Sequence, residues 1–187
     1  GISGGAPARH LFDPESGAGL PEGHVISENA DIGWNEGTDV LFVGTKAQEE
    51  ELEDWPDDAL PLADVNIWHW ADDRINTAQR QSASRDRNRT YRAAVHLDDM
   101  RMVPLADEAM RDVDVTRDGR WAIGRDGTPY VSDWKPPYAD YYRVDTRTGE
   151  RTMFLEGHLR TLGLSPDSEH YLYWKDGDVW LYDIPAN

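Results

Sequence analysis

A chain of 187 residues with 19 basic and 36 acidic side chains has a formal net charge of −17, a field that repels phosphate backbones and argues against nucleic-acid binding. Without cysteine it has no disulfide framework, thiolate metal site or cysteine nucleophile, and no run approaches the ~20 apolar residues a membrane helix needs. Its 24 Asp to 12 Glu and 16 Arg to 3 Lys fit two origins: a salt-adapted surface of hydrated carboxylates, or a GC-rich genome that favours Arg over Lys.

Residues 1–8 read as a disordered or tag-like start, and 9–187 as one domain. Arg9 to Phe12 is a short apolar piece that could form an edge strand, followed by a Gly- and Pro-rich loop. From Ala30 to Thr45, Ile32 and Trp34 alternate, Asn35-Glu36-Gly37 turns the chain, and Val40 to Val43 returns beside them. The acidic run from Gln48 to Asp64 reads as a solvated loop, because it lacks the alternating ligands and Gly of a calcium loop. Val65 to Trp70 alternates with apolar side chains on both faces, which predicts a strand inside a packed sheet. Asp72 to Arg89 is polar and free of Gly and Pro; it predicts a short surface helix capped by Asp72 or Asp73. Its five Arg are offset by Asp72, Asp73 and Asp86, so a salt-bridged connector is expected there rather than an anion site. Tyr91 to Leu97 and Arg101 to Leu105 then flank Asp98-Asp99 as a hairpin.

The most informative stretch is Arg111 to Gly127, because Arg160 to Gly177 reads as a degenerate copy of it. Val113 maps onto Leu162, Val115 onto Leu164, Asp118 onto Asp167 and Ile123 onto Leu172, and one inserted residue then brings Asp126-Gly127 opposite Asp176-Gly177. Each copy predicts a half-buried strand, a polar turn at Asp118-Gly119 or Asp167-Ser168 that reverses the chain, and a returning strand from Trp121 to Ile123 or Tyr171 to Trp174, with the Asp-Gly pairs of the stretch read as hairpin turns. Between the copies, Tyr141 to Val144 and Arg151 to Leu155 predict a second hairpin, with Gly149 at positive φ and Asp145 accepting from turn amides. A last strand is expected at Val179 to Ile184. The fold class expected is all-β: a partial β-propeller of about three four-stranded antiparallel blades, near 30–105, 111–156 and 160–187, with a short helical or loop insertion.

No catalytic, cofactor-binding or metal-binding residue is assigned from the sequence. Gly1-Ile2-Ser3-Gly4-Gly5 matches G-x-S-x-G formally, but the nucleophile needs a strained turn between a buried strand and a helix, and no strand precedes it. His10, His24, His69, His96, His158 and His170 are scattered, without a spacing that gathers two on one face. His69 and His96 are expected as hydrogen-bonded sheet histidines. Glycine-rich phosphate loops are also missing, so no cofactor is implied.

Taken together, Val65 to Ile75, the Arg87 to Asp99 hairpin, Pro104 to Tyr130 and Asp140 to Thr152 resemble the N-terminal β-propeller of bacterial serine peptidases of the prolyl oligopeptidase family, with turn motifs shared by TolB-like repeats. The resemblance runs from about Phe12 to the end of the chain. It implies a non-catalytic segment that gates peptide access to, and packs on, an α/β-hydrolase domain that this chain does not contain, in a periplasmic or secreted parent. No catalytic position of the family falls on these residues. A free-standing TolB-like propeller binding protein or peptide is the alternative. Three blades leave an open arc whose edges and faces would be completed by the hydrolase-bearing chain or by another copy of this one; no nucleic-acid or membrane partner is expected.

Overall fold

A computed structural model describes residues 19–35, 38–48, 69, 72, 74–132 and 134–187. Strands hold 45% of the described residues and helix 10%, and every strand pairing is antiparallel. The expected edge strand at Arg9–Phe12, most of the acidic run, and Val65–Trp68 with Trp70 lie outside the described residues.

The strands form three sheets in chain order. In the first, β1 (His24–Ile26) and β2 (Gly33–Trp34) pair with different parts of one edge of β3 (Val40–Ala47), which continues into β4 (Tyr91–His96) and β5 (Arg101–Pro104). The second is the meander β6 (Asp112–Val115), β7 (Trp121–Asp126), β8 (Ala139–Asp145) and β9 (Arg151–His158). The third is the meander β10 (Thr161–Leu164), β11 (His170–Lys175) and β12 (Asp178–Asp183). The sheets thus hold five, four and three strands, not four each.

Side chains alternate across each strand, so a sheet buried on both faces serves two cores. The second sheet does this. Val113, Ala122 and Val144 join Phe42, Ala94 and Val103 of the first sheet, whereas Ile123, Tyr141 and Leu155 join Tyr171 and Ile184 beside the third. A further cluster of Val43, Ala93, Val95 and Met102 lies on the other face of the first sheet, with Leu20 packed against it.

The turns of the repeat hold the stack at one end. In the β6–β7 turn the Thr116 hydroxyl donates to Asp118 and accepts from the Trp121 amide, while the Gly119 amide donates to the Thr116 carbonyl. In the β10–β11 turn Ser165, Asp167, His170 and Ser168 make the same bonds, each 49 positions on. Gly119 has φ +70° and Ser168 φ +69°, so even the left-handed residue is repeated. Asn35, at the corresponding place in the β2–β3 turn, donates through Nδ2 to the Thr116 carbonyl (2.9 Å), and the Asp118 amide donates to Ser168 Oγ (3.2 Å). Each repeat turn is therefore bonded to the next.

Several expectations change. The helix α1 (Asn76–Arg87) begins later than predicted, with Ile75 at its N-cap and no side-chain cap. Asp72 instead closes a turn, accepting from the His69 amide and from Gln79 Nε2, which also donates to the Arg74 carbonyl. That turn, with the Asp72 amide on the His69 carbonyl, places exposed His69 outside any strand. Asp126-Gly127 is not a hairpin turn: Gly127 has φ −95° and leads into a 3-10 turn at Thr128–Tyr130. Asp176-Gly177 is one, with both residues at positive φ between paired Lys175 and Asp178. Leu162 does not repeat the burial of Val113. A bulge at Gly163 (φ +105°) shifts the register and leaves Leu162 60% exposed.

The two remaining hairpins match their predicted positions. Gly149 has φ +77°, and Asp145 Oδ1 accepts from the Arg147 and Thr148 amides. Arg147 reaches from this turn to Asp98 (2.9 Å) and Asp99 (3.1 Å) in the turn of the first hairpin.

Candidate functional site: an arginine-lined cleft

The second sheet leaves by a long connection where β7 passes to β8, and that connection builds one wall of a cleft of about 670 Å³. Tyr130 comes from the 3-10 turn, and Val131, Pro137 and Tyr138 from the return toward β8. The Tyr130 and Tyr138 rings lie 6.3 Å apart at 52°, and Val131 and Tyr138 are among the exposed large apolar side chains. The opposite wall is basic. Arg74 and Arg89 flank α1, Arg111 precedes β6, and Arg125 is next to last in β7; among the described residues the acidic side chains lining the cleft are Asp72 and Asp112.

Their partners differ. Arg74 and Arg89 share Asp86 at 3.4 and 3.2 Å, and the Ser82 hydroxyl together with these guanidinium groups holds Asp86 below the usual carboxylate range. The salt-bridged connector expected between Asp72 and Arg89 is present in these contacts. Arg125 faces Asp112, its cross-strand neighbour, at 3.5 Å and donates to the Pro137 carbonyl. Arg111 donates through Nε to the Glu108 carbonyl and has no carboxylate partner among the described residues. Arg89 Nε is a buried donor without an acceptor.

Behind the aromatic wall, the Tyr130 hydroxyl donates to Asp140 Oδ1 (2.7 Å), which also accepts from the Gly157 amide (2.7 Å) at an irregular part of the β8–β9 ladder. The bond to this carboxylate pushes the Tyr130 phenol up to about 12. Like any tyrosine, Tyr130 is uncharged at neutral pH, and its hydroxyl is engaged as a donor to Asp140. A second cleft of about 580 Å³ shares Arg89, but there Arg151 is paired with Asp107 at 2.7 Å.

Among the described residues the histidines are not brought together. His96 is the buried sheet histidine expected: its Nε2 bonds to the Thr146 carbonyl (2.8 Å), tying the first sheet to the β8–β9 turn. His24 and His158 contact local carbonyls, and His158 also meets the Tyr173 ring edge-on. Asp167, Glu169 and His170 have potential ligand atoms within 4.8 Å of one another, but the group is open to solvent. Asp167 is already used by Ser165 Oγ and the Glu169 amide, which hold its carboxyl below the usual range and shape the turn. The G-x-S-x-G match and His10 lie outside the described residues. Among those described, no helix is long and apolar enough to cross a membrane.

The sequence reading missed this cleft because its residues come from four separate segments with no common spacing. Compared with known proteins, the chain matches no family model and no curated protein.

Proposed function

We propose that this chain is a non-catalytic segment of a β-propeller, its three stacked sheets serving as three blades of an open arc. In this reading it belongs to a prolyl oligopeptidase-like serine peptidase, where it gates peptide access and packs on a hydrolase domain carried elsewhere. The observation that supports it is the stack itself. Successive antiparallel sheets bury facing surfaces in chain order, and the repeat turns bond from one sheet to the next.

The outer face of the third sheet fits a continuing arc. Tyr171, Tyr173 and Tyr182 point toward the second sheet, so alternation turns Leu172, Trp174, Val179 and Leu181 the other way. Trp174, Val179 and Leu181 are 41%, 53% and 55% exposed. The register equates Val179 and Leu181 with Tyr141 and Arg143 of the second sheet, whose face the third sheet covers. A further sheet laid there would repeat the packing already used twice.

The discriminating experiment is to sequence the gene beyond the Asn187 codon and assay the encoded full-length protein and this chain on chromogenic peptide substrates. Continuation into a strand, a G-x-S-x-G turn and a helix, with turnover only by the longer protein, is expected. Turnover by the 187-residue chain itself, or a longer protein without a hydrolase unit, would overturn the peptidase reading. The second reading, a free-standing TolB-like module that binds protein or peptide, is favoured by the arginine-lined cleft, which forms within this chain alone.

A further inference from the structure

We propose that the cleft between α1 and the β7–β8 connection binds a small amphipathic anion, a carboxylate or phosphate group attached to an aromatic or apolar body. The inference needs only the cleft and stands apart from the propeller reading.

Four guanidinium groups converge on one cavity in a chain where acids outnumber bases 36 to 19. Three of the four are held beside carboxylates at 3.2 to 3.5 Å. Arg111 bonds only through Nε, to the Glu108 carbonyl, and has no carboxylate partner among the described residues, which leaves its terminal nitrogens for a ligand. Arginine offers planar, forked donors that match carboxylate and phosphate oxygens, and a recess walled by protein strengthens such bonds over those in open water. The surrounding charge sets the ligand's size. An extended polyanion would leave the cleft and meet the acidic surface, whereas a compact anion would not.

The facing wall sets the rest of the ligand. Tyr138 and Val131 leave apolar area open to solvent beside the guanidinium groups, and the uncharged Tyr130 adds no negative charge at neutral pH. An anion with a flat or aliphatic body buries that area while its charged end remains with Arg111 and Arg125.

The test is calorimetric titration of the 187-residue chain with phenyl phosphate, inorganic phosphate, N-benzoylglycine and the neutral N-benzoylglycinamide. Binding of phenyl phosphate or N-benzoylglycine near or below about 1 mM is expected, with the stronger of the two naming the anionic group. Arg111→Gln and Arg125→Gln should each weaken it about tenfold, and Arg160→Gln, at an exposed residue that does not line the cleft, should leave it unchanged. Tyr138→Ala should weaken phenyl phosphate but not inorganic phosphate. Thermal melting of each variant separates lost binding from lost folding. No binding by any probe, equal binding of the acid and the neutral amide, equal loss in Arg111→Gln and Arg160→Gln, or inorganic phosphate binding as tightly as phenyl phosphate would each overturn the proposal.

Discussion

Thr116 and Ser165 carry the repeat at the scale of single residues. Each hydroxyl lies between an Asp two positions on and a backbone amide five positions on, so one side chain closes the turn and sets the hairpin register. Thr116 is fully buried, and its bonds have no water to replace them. Asp118→Ala should therefore cost about 1 to 2 kcal/mol in urea unfolding, and Asp167→Ala, at the open turn, measurably less. Asp140→Ala should cost about 2 kcal/mol, because it removes the shared acceptor of the Tyr130 hydroxyl and the Gly157 amide. The turn chemistry was legible in the sequence as matched Asp positions. What those positions do was less so: the Asp126-Gly127 pair looks like Asp176-Gly177 in sequence, yet its carboxylate accepts from the Thr128 amide and starts the 3-10 turn.

At the scale of elements, local pattern was a good guide wherever one strand met the next through a short turn. The hairpins at β4–β5, β8–β9 and β6–β7 match their predicted residues because alternation and turn composition are local properties, whereas the bulge at Gly163 breaks the alternation of the second copy. Helix α1 was legible in its existence but not in its start, since Asp72 found a nearer partner in the His69 amide than the helix offered. The arginine-lined cleft was not legible, because tertiary packing, and no local spacing, brings Arg74, Arg111 and Arg125 together. Contacts between elements give a sharper test. Phe154 and Tyr182 stack at 4.0 Å and 7° across the second and third sheets. A double-mutant cycle with Phe154→Leu and Tyr182→Leu should give a coupling of about 1 kcal/mol. A coupling near zero would mean that the third sheet is not held on the second by this stack.

Charge governs the whole molecule. The ion-paired or hydrogen-bonded carboxyls of Asp98, Asp86 and Asp167 are held below their ordinary value, chiefly by Arg147, Ser82 and Ser165 respectively. Depressed folded values contribute stability that is present above the unfolded value and lost as pH falls through the folded ones, so stability should decline below about pH 4. Self-repulsion at a net charge of −17 acts in the opposite sense, easing as the other carboxylates begin to protonate. The melting temperature should accordingly peak near about pH 5 in dilute buffer. Molar KCl should raise it at pH 7 and flatten that peak, since salt screens the repulsion; a melting temperature indifferent to KCl at pH 7 would contradict this.

The two ends of the sheet stack are unlike. At one end Val43, Ala93, Val95 and Met102 are all at most 4% exposed, while at the other Trp174, Val179 and Leu181 are open. This asymmetry limits stoichiometry. If copies of the chain meet through the open face alone, each has a single adhesive end, and the pairing must be isologous about a twofold axis. Growth then stops at two, because a twofold contact uses the third-sheet face of both copies. Light scattering should report species of 21.2 kDa and of twice that mass, without a ladder of larger ones. Leu181→Lys should shift that balance to the smaller species, since it would place like charges across the axis.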